Sequence, residues 1–348
     1  MERKPVSRRI GFTLIEVLVV VAIIALLVSI LLPSLAKAKE QARSAACGST
    51  VAQICKANGM YMTEQKDWIP GSPLTTGYWW VRNWPSASWD PSLPGFNRFA
   101  AEWFDFTTPL RAQMYGAKSV PALGTAADTQ KALWRQMTES PFLCPSNPVT
   151  YGPYQPPATG APVIRATSYL TMDLIVRGGP ATYHQYSQIN SSLAYDIACP
   201  PDWEVLSPSG YMPRLDRLGR AQGKVFIADG IRYYSYDASS GAETMDYNCT
   251  PNDYHGVMCA APPAEGWQYG REYNVAHKYS YRHGGMKDRI NAGFFDGHVE
   301  SLLGTYRGDD VPFTGRAVEP QFYYPSGSIV QNPAVLNKST ILAGTKLP

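Results

Sequence analysis

Arg8-Arg9-Ile10-Gly11-Phe12-Thr13-Leu14-Ile15-Glu16, followed by apolar residues almost without interruption to Leu32 and then Pro33, decides how this chain is built. Four basic side chains, Arg3, Lys4, Arg8 and Arg9, precede Gly11. Across the 21 residues from Phe12 to Leu32 only Thr13, Glu16 and Ser29 are polar. A helix of that length extends about 31 Å, close to the roughly 30 Å hydrocarbon thickness of a bilayer. The run is therefore predicted to span a membrane. The basic flank keeps the N-terminus in the cytoplasm and sends the remainder of the chain out. Glu16 is out of place here, because a charged residue in the hydrocarbon costs roughly 2.5–3.5 kcal/mol at mid-span and less near a helix end. It calls for a partner, for which a freed N-terminal amine on a neighbouring subunit has the right charge and position.

Gly11-Phe12-Thr13-Leu14-Ile15-Glu16 resembles the processing signature of type IV prepilins and type II secretion pseudopilins. That resemblance implies a prepilin peptidase that cuts after Gly11 and methylates the new N-terminal Phe12. It implies that mature helices pack into a filament core, where Glu16 meets a neighbour's amine. It also implies a kink or local melting at Pro33. The expected role is a structural pilin-like or pseudopilin-like subunit. Its partners would be the peptidase and other pilin or pseudopilin subunits. It would lie in the bacterial inner membrane as a single-pass precursor, with its head periplasmic or extracellular. The alternative is a membrane-tethered binding or hydrolytic protein that uses the prepilin route only for export. Two plainer readings of the run are an uncleaved signal anchor and a secretory signal cut after Ala36-Lys37-Ala38. The run exceeds the roughly 7–15 residue apolar region of ordinary secretory signals and carries an acid near its start.

The chain has 31 Lys+Arg and 28 Asp+Glu, and loss of residues 1–11 leaves 27 of each. The mild basicity belongs to the leader, so no nucleic-acid partner is predicted. The helix is expected to pass Pro33, bending there, and to continue as an amphipathic segment over 34–62. Leu35, Ala38, Ala42, Ala45, Ala52, Cys55 and Met62 form one stripe, with Cys47, Val51, Ile54 and Tyr61 beside it. Lys37, Lys39, Glu40 and Arg43 form a solvated face. The domain reading is a leader (1–11), a transmembrane or filament-core helix (12–33), its amphipathic continuation (34–62) and an exported head (63–348) with a β-rich part around 224–303. The fold class is α+β, a long bent helix packed on an antiparallel β-sheet head with long loops.

Cys47-Gly-Ser-Thr-Val-Ala-Gln-Ile-Cys55, followed by Tyr61 and Pro70, resembles the Cys-x-x-Asn-Leu-x-Gln-Ile-Gly stretch of pilin-like proteins of the planctomycete and verrucomicrobial kind. Thr50 and Val51 depart from its Asn-Leu pair. Phe142-Leu143-Cys144-Pro145-Ser146, Ser168-Tyr169 and Lys224–Asp229 are similar to later features of that group. Arg282-His283-Gly284-Gly285 with Gly293–Val299 resembles its C-terminal, processing-associated His-x9-Asp-Gly signature. Here twelve residues separate His283 from Asp296.

Asp296-Gly297 lies between β-prone runs at 291–295 and 298–303 and predicts a tight type I′ hairpin. A small metal or proton-transfer site built from His283, Asp296 and His298 is the functional alternative, since imidazole and carboxylate suit a divalent ion. No cofactor is expected otherwise. Export permits disulfides among the six cysteines. Cys47 and Cys55 on one helix lie about 12 Å apart, too far to join. Cys249 and Cys259 flank one loop and are a natural pair, and Cys47 with Cys144 would staple the helix to the head. Cys55 and Cys199 would then stay free. The scattered cysteine spacing argues against a metal cluster. Residues 67–165 read as long loops with short helices near 109–115 and 129–139. The nine Trp and 22 Tyr read mostly as core and loop packing. Neither a Gly-x-Ser-x-Gly elbow nor an His-Glu-x-x-His helix is present, so the chain is not expected to be an enzyme.

Overall fold

A computed structural model describes residues 13–72, 106–116, 141–147, 150–151, 164–165, 168–188, 205–230, 235–237, 242–244, 281–284, 288–304, 315–333 and 341–348. Helix α1 runs Leu14–Glu64 as one element with Pro33 inside it. It starts where the sequence supplies a capping box: the Thr13 hydroxyl accepts from the Glu16 backbone N–H, and the Glu16 carboxylate accepts from the Thr13 backbone N–H at 2.8 Å. It ends just past the expected residue 62, where Lys66 and Asp67 take positive φ and turn the chain.

The cover along α1 is uneven. Residues 13–39 are all exposed, the apolar ones included; Leu14 is 88% exposed and Leu26 64%. Burial begins at Cys47 and continues through Val51, Ile54, Cys55, Asn58, Tyr61 and Met62. These positions recur at three- and four-residue spacing, the signature of one buried face. Two expectations are corrected here. The Leu35–Ala45 part of the first stripe is exposed, and Glu40 leaves the solvated face to bond side chains of the head.

The sheet against which α1 packs has four strands: β1 (Tyr169–Thr171), β2 (Val225–Asp229), β3 (Arg289–Phe294) and β4 (Val299–Leu303). They lie side by side in chain order, and every neighbouring pair is antiparallel. The architecture is α+β, as expected, with the sheet falling largely in the segment read as β-rich. Strand β2, Val-Phe-Ile-Ala-Asp, is buried throughout because it lies inside the sheet with side chains packed from both sides. Gly293 sets the distance between helix and sheet. A Cβ there would lie 2.3 Å from Cys55 Sγ and 2.7 Å from Val51 Cγ1, so only glycine lets α1 come this close. The aromatic Phe226 meets Phe106 and Phe295 edge-on, and Phe106 leads into helix α2 (Thr107–Tyr115). Helix α2 is the short helix expected near 109–115; the one expected near 129–139 lies outside the described residues.

The β3–β4 hairpin forms where Asp-Gly predicts it, but with a different turn. Gly297 alone in the turn has positive φ (+95°), its N–H donates to the Phe294 carbonyl, and Phe294 N–H donates to the His298 carbonyl. That is a three-residue loop closed by a left-handed glycine, not a type I′ turn. The Asp296 side chain explains the preference. It accepts from the His298 backbone N–H at 3.2 Å, a local bond that holds Asp296 out of the left-handed region.

Candidate functional site

Two regions have the makings of a site. The first is the head of α1. Glu16 there caps its own helix, its Oε2 accepting from both the Thr13 backbone N–H and the Thr13 hydroxyl at 2.8 Å. The Thr-Leu-Ile-Glu pattern carries this signal in the sequence, and the reading of Glu16 as waiting for an outside partner passed over it. The carboxylate thus lies at the N-terminal, positive end of the helix dipole. Gly11 and Phe12 themselves lie outside the described residues. One helix among the described residues is long and apolar enough to cross a membrane, and it is α1.

The second region lies under α1 where burial begins. Cys47 comes from α1, Cys144 from the 141–147 loop, Asp229 from the end of β2, and His283 from a one-residue bridge to Arg289 beside the start of β3. Their ligand-type atoms all lie within 4.8 Å of one another, and all four residues are buried. His283 Nε2 is 3.5 Å from Cys144 Sγ and 3.3 Å from Asp229 Oδ2; Cys47 Sγ is 3.5 Å from Asp229 Oδ1. Register accounts for part of the meeting. Asp229 pairs with Tyr169 across β1–β2, and the Asn291 backbone N–H donates to Asp229 Oδ2 at 2.7 Å.

An outer ring of polar groups holds these four. The Glu40 carboxylate meets His283 Nδ1 at 3.4 Å and accepts from the Ser146 hydroxyl at 3.0 Å. Tyr169 Oη is 3.2 Å from Cys47 Sγ. The buried Arg282 guanidinium lies 3.7 Å from Asp229 and donates to the carbonyls of Ser168 and Gly230. The protons respond to this setting. Burial pushes the Cys47 thiol well up. A hydrogen bond from Cys47, reinforced by His283 against the opposing burial, lowers Cys144 to about 6. Burial works against a charge on His283, yet its bonds to Asp229 and Cys144 prevail and raise it to about 10. The arrangement stabilises negative charge on Cys144 facing positive charge on His283. Both residues are fully buried, so the pair meets no solvent.

The metal trio read from the sequence does not assemble. His283 is beside Arg289 at one end of β3, while Asp296 and His298 sit past Phe294 at the other. Five residues of strand put these ends about 16 Å apart. The Asp296 carboxylate instead meets His298 Nδ1 at 2.5 Å on the half-exposed turn, and the His298 ring stacks on Phe294 at 4.1 Å. Cys47 and Cys144 do come together, as free thiols. Cys55 is also free and buried, its thiol pushed up to about 12 by burial and by the charge of Asp296. Cys199, Cys249 and Cys259 lie outside the described residues. Asp229 was overlooked as a site residue. In the sequence the segment that carries it, Lys224–Asp229, stands out only by its resemblance to a feature of that pilin-like group, although an acid ending an apolar run is a signal in itself.

Residues 6–32 match the family model of the prokaryotic N-terminal methylation motif. No curated protein and no solved structure matches the chain. The matched segment contains the Gly11–Phe12 junction, the capping box and the whole apolar run to Leu32. The N-terminus thus carries a prepilin-type methylation motif, the rest of the described chain is α+β, and the apolar helix suits a membrane-anchored precursor.

Proposed function

We propose that this chain is a structural subunit of a type IV pilus or a type II secretion pseudopilus, cut after Gly11 by prepilin peptidase and methylated at Phe12. The observation that carries the reading is the bare first half of α1. Residues 13–39 are exposed, with no cover among the described residues, although the run to Leu32 is apolar around its whole circumference. Such a helix is stable only inside lipid or among like helices. A prepilin uses both surroundings in turn, the bilayer as a precursor and sister helices after assembly. Glu16 serves each stage. In the single chain it caps α1; next to a neighbour it offers a carboxylate to the freed amine.

In this reading the head ends the helix and faces outward, and its role is structural rather than catalytic. The resemblance of its motifs to pilin-like proteins of the planctomycete and verrucomicrobial kind supports the same role. Mass spectrometry of the mature amino terminus and fractionation of sheared surface filaments test the reading together. Methyl-Phe12 in a filament fraction is expected, and Glu16→Ala should remove the chain from that fraction while leaving the precursor in the membrane. Unassembled chains that keep residues 1–11 would overturn it. A head that retained a measurable activity while Glu16→Ala left the protein's behaviour unchanged would favour the tethered, non-filament alternative.

A further inference from the structure

We propose that Cys47, Cys144, Asp229 and His283 bind one zinc ion, which fastens α1 to the loop and strands of the head. The first argument is the spacing of the donors. Tetrahedral zinc with Zn–S of about 2.3 Å and Zn–N or Zn–O of about 2.0–2.2 Å has S···S edges of about 3.8 Å, S···N edges of about 3.5 Å and N···O edges of about 3.4 Å. The separations are 3.5 Å for Cys144 Sγ to His283 Nε2, 3.5 Å for Cys47 Sγ to Asp229 Oδ1 (the carboxylate oxygen that does not ligate) and 3.3 Å for His283 Nε2 to Asp229 Oδ2. The last is longer than the roughly 2.7–3.2 Å usual for a hydrogen bond to oxygen, yet it fits the edge of a coordination tetrahedron. The widest separation, 4.8 Å, exceeds the longest edge by about 1 Å, which small side-chain rotations close.

The second argument is the outer ring. A metal-bound histidine characteristically gives its other ring N–H to a carboxylate, which fixes the ring and its tautomer. His283 has Glu40 at Nδ1 and leaves Nε2 to the cluster. Asp229 is oriented by the Asn291 N–H, and Cys47 by Tyr169. Charge is the third. Two thiolates and one carboxylate against Arg282 and a divalent ion sum to neutrality among the buried groups, while Glu40, whose side chain is 25% exposed, carries its charge on the solvent side of the site. Two thiolates with an imidazole and a carboxylate, closed off from solvent, suit a structural zinc site better than magnesium, calcium or an open catalytic one. A Cys47–Cys144 disulfide is the rival occupant of the same place. It makes no use of Asp229, His283 or the Glu40 contact, which is why the zinc reading is preferred. Ligation displaces the proton from each thiol that still carries one and the Nε2 proton of His283, and releases them to solvent.

The test uses the full-length chain in detergent, stripped with a chelator under reducing conditions and then dialysed against zinc or cobalt(II). One equivalent of zinc per chain is expected, and cobalt should give thiolate charge-transfer and intense tetrahedral absorption bands. Cys144→Ser and His283→Gln should weaken zinc binding at least about a hundredfold in competition with a chromophoric chelator, and Glu40→Gln about 10–100-fold. Cys55→Ser, outside the cluster, should bind like the unaltered chain. If a ligand variant misfolds, as judged by circular dichroism, the cobalt spectrum of the unaltered chain decides. Less than a tenth of an equivalent bound by the reduced chain, or cobalt bands without thiolate character, overturns the site. So does a Cys47–Cys144 disulfide found by peptide mapping of chains taken directly from membranes. None of these results depends on whether the chain enters a filament.

Discussion

Residues 14–39 and 47–62 belong to one unbroken helix, yet the first stretch is exposed throughout while the second buries a full face. Local backbone preference does not separate them, for both are helical and both are rich in apolar or alanine side chains. What differs is the distribution of apolar groups around the axis. Up to Leu32 they surround it, so no single packed surface could cover them, and the helix must be dissolved in something apolar on all sides. From Cys47 onward they keep to one side, which a four-stranded sheet can cover. The lesson is that α1 is shared between two solvents: head stability should depend on the packed half, and assembly on the bare half.

The strongest way to break this division is Ile54→Ala. Ile54 is fully buried on the packed face. Its truncation should cost about 2–5 kcal/mol, through lost transfer energy and the cavity left behind. In a detergent-solubilised chain, thermal unfolding should drop by roughly 5–15 °C, at about 2–4 °C per kcal/mol for a head of this size. An unchanged midpoint would mean that α1 does not contribute to the core.

Gly293→Ala approaches the same interface from the sheet. The added Cβ would meet Cys55 Sγ at 2.3 Å, Val51 Cγ1 at 2.7 Å and Ile227 Cγ2 at 3.2 Å, so the helix or the strand must retreat. About 1–3 kcal/mol of destabilisation is expected by denaturant titration. Pairing it with Cys55→Ala should recover part of the loss, because the nearest clashing atom is then gone. Full additivity of the two changes would show that Gly293 acts elsewhere than at α1.

The bare half of α1 was legible in the sequence because its message is local: length, apolarity and a basic flank lie in one continuous stretch. The hairpin was legible in position for the same reason, though not in turn type, which the Asp296 side chain decides by bonding to His298. The four-residue cluster was not legible. Cys47, Cys144, Asp229 and His283 come from segments joined only by sheet register and by the approach of α1 at Gly293. Spacing along the chain therefore argued against a cluster that folding brings together. His298 misled for the opposite reason. It stands two residues from Asp296, and proximity along the chain looked like coordination when the pair only ties down an exposed turn.

Glu16→Gln gives a smaller, local effect on the isolated chain. Both halves of the capping box involve Glu16, whose N–H is capped by Thr13 and whose side chain returns the bond. The amide can still accept from the Thr13 N–H, so the loss should be only the charge–dipole part, small and screened by solvent at this exposed position. Hydrogen exchange in micelles should report faster opening confined to the first turn, with the head midpoint unmoved. If the loss instead spread past Pro33 into residues 47–62, the two halves of α1 would be one cooperative unit and the division drawn above would fail.

Leu26→Ala should have the least effect on the head and is the sharpest control for that reason. Leu26 is 64% exposed and lies on the stretch that none of the described residues covers. Truncation leaves no cavity, and alanine is at least as good a helix former as leucine. The expected change in head stability is within about 0.5 kcal/mol, against several for Ile54 in the same helix. A filament contact would reveal itself differently. If sister helices pack around residue 26, the loss of side-chain volume leaves a void between subunits, and sheared filaments should become more easily dissociated by detergent while the solubilised chain unfolds at its usual temperature. A large drop in head stability from this exposed position would require the bare half of α1 to fold back onto the head, and α1 would then have one solvent rather than two.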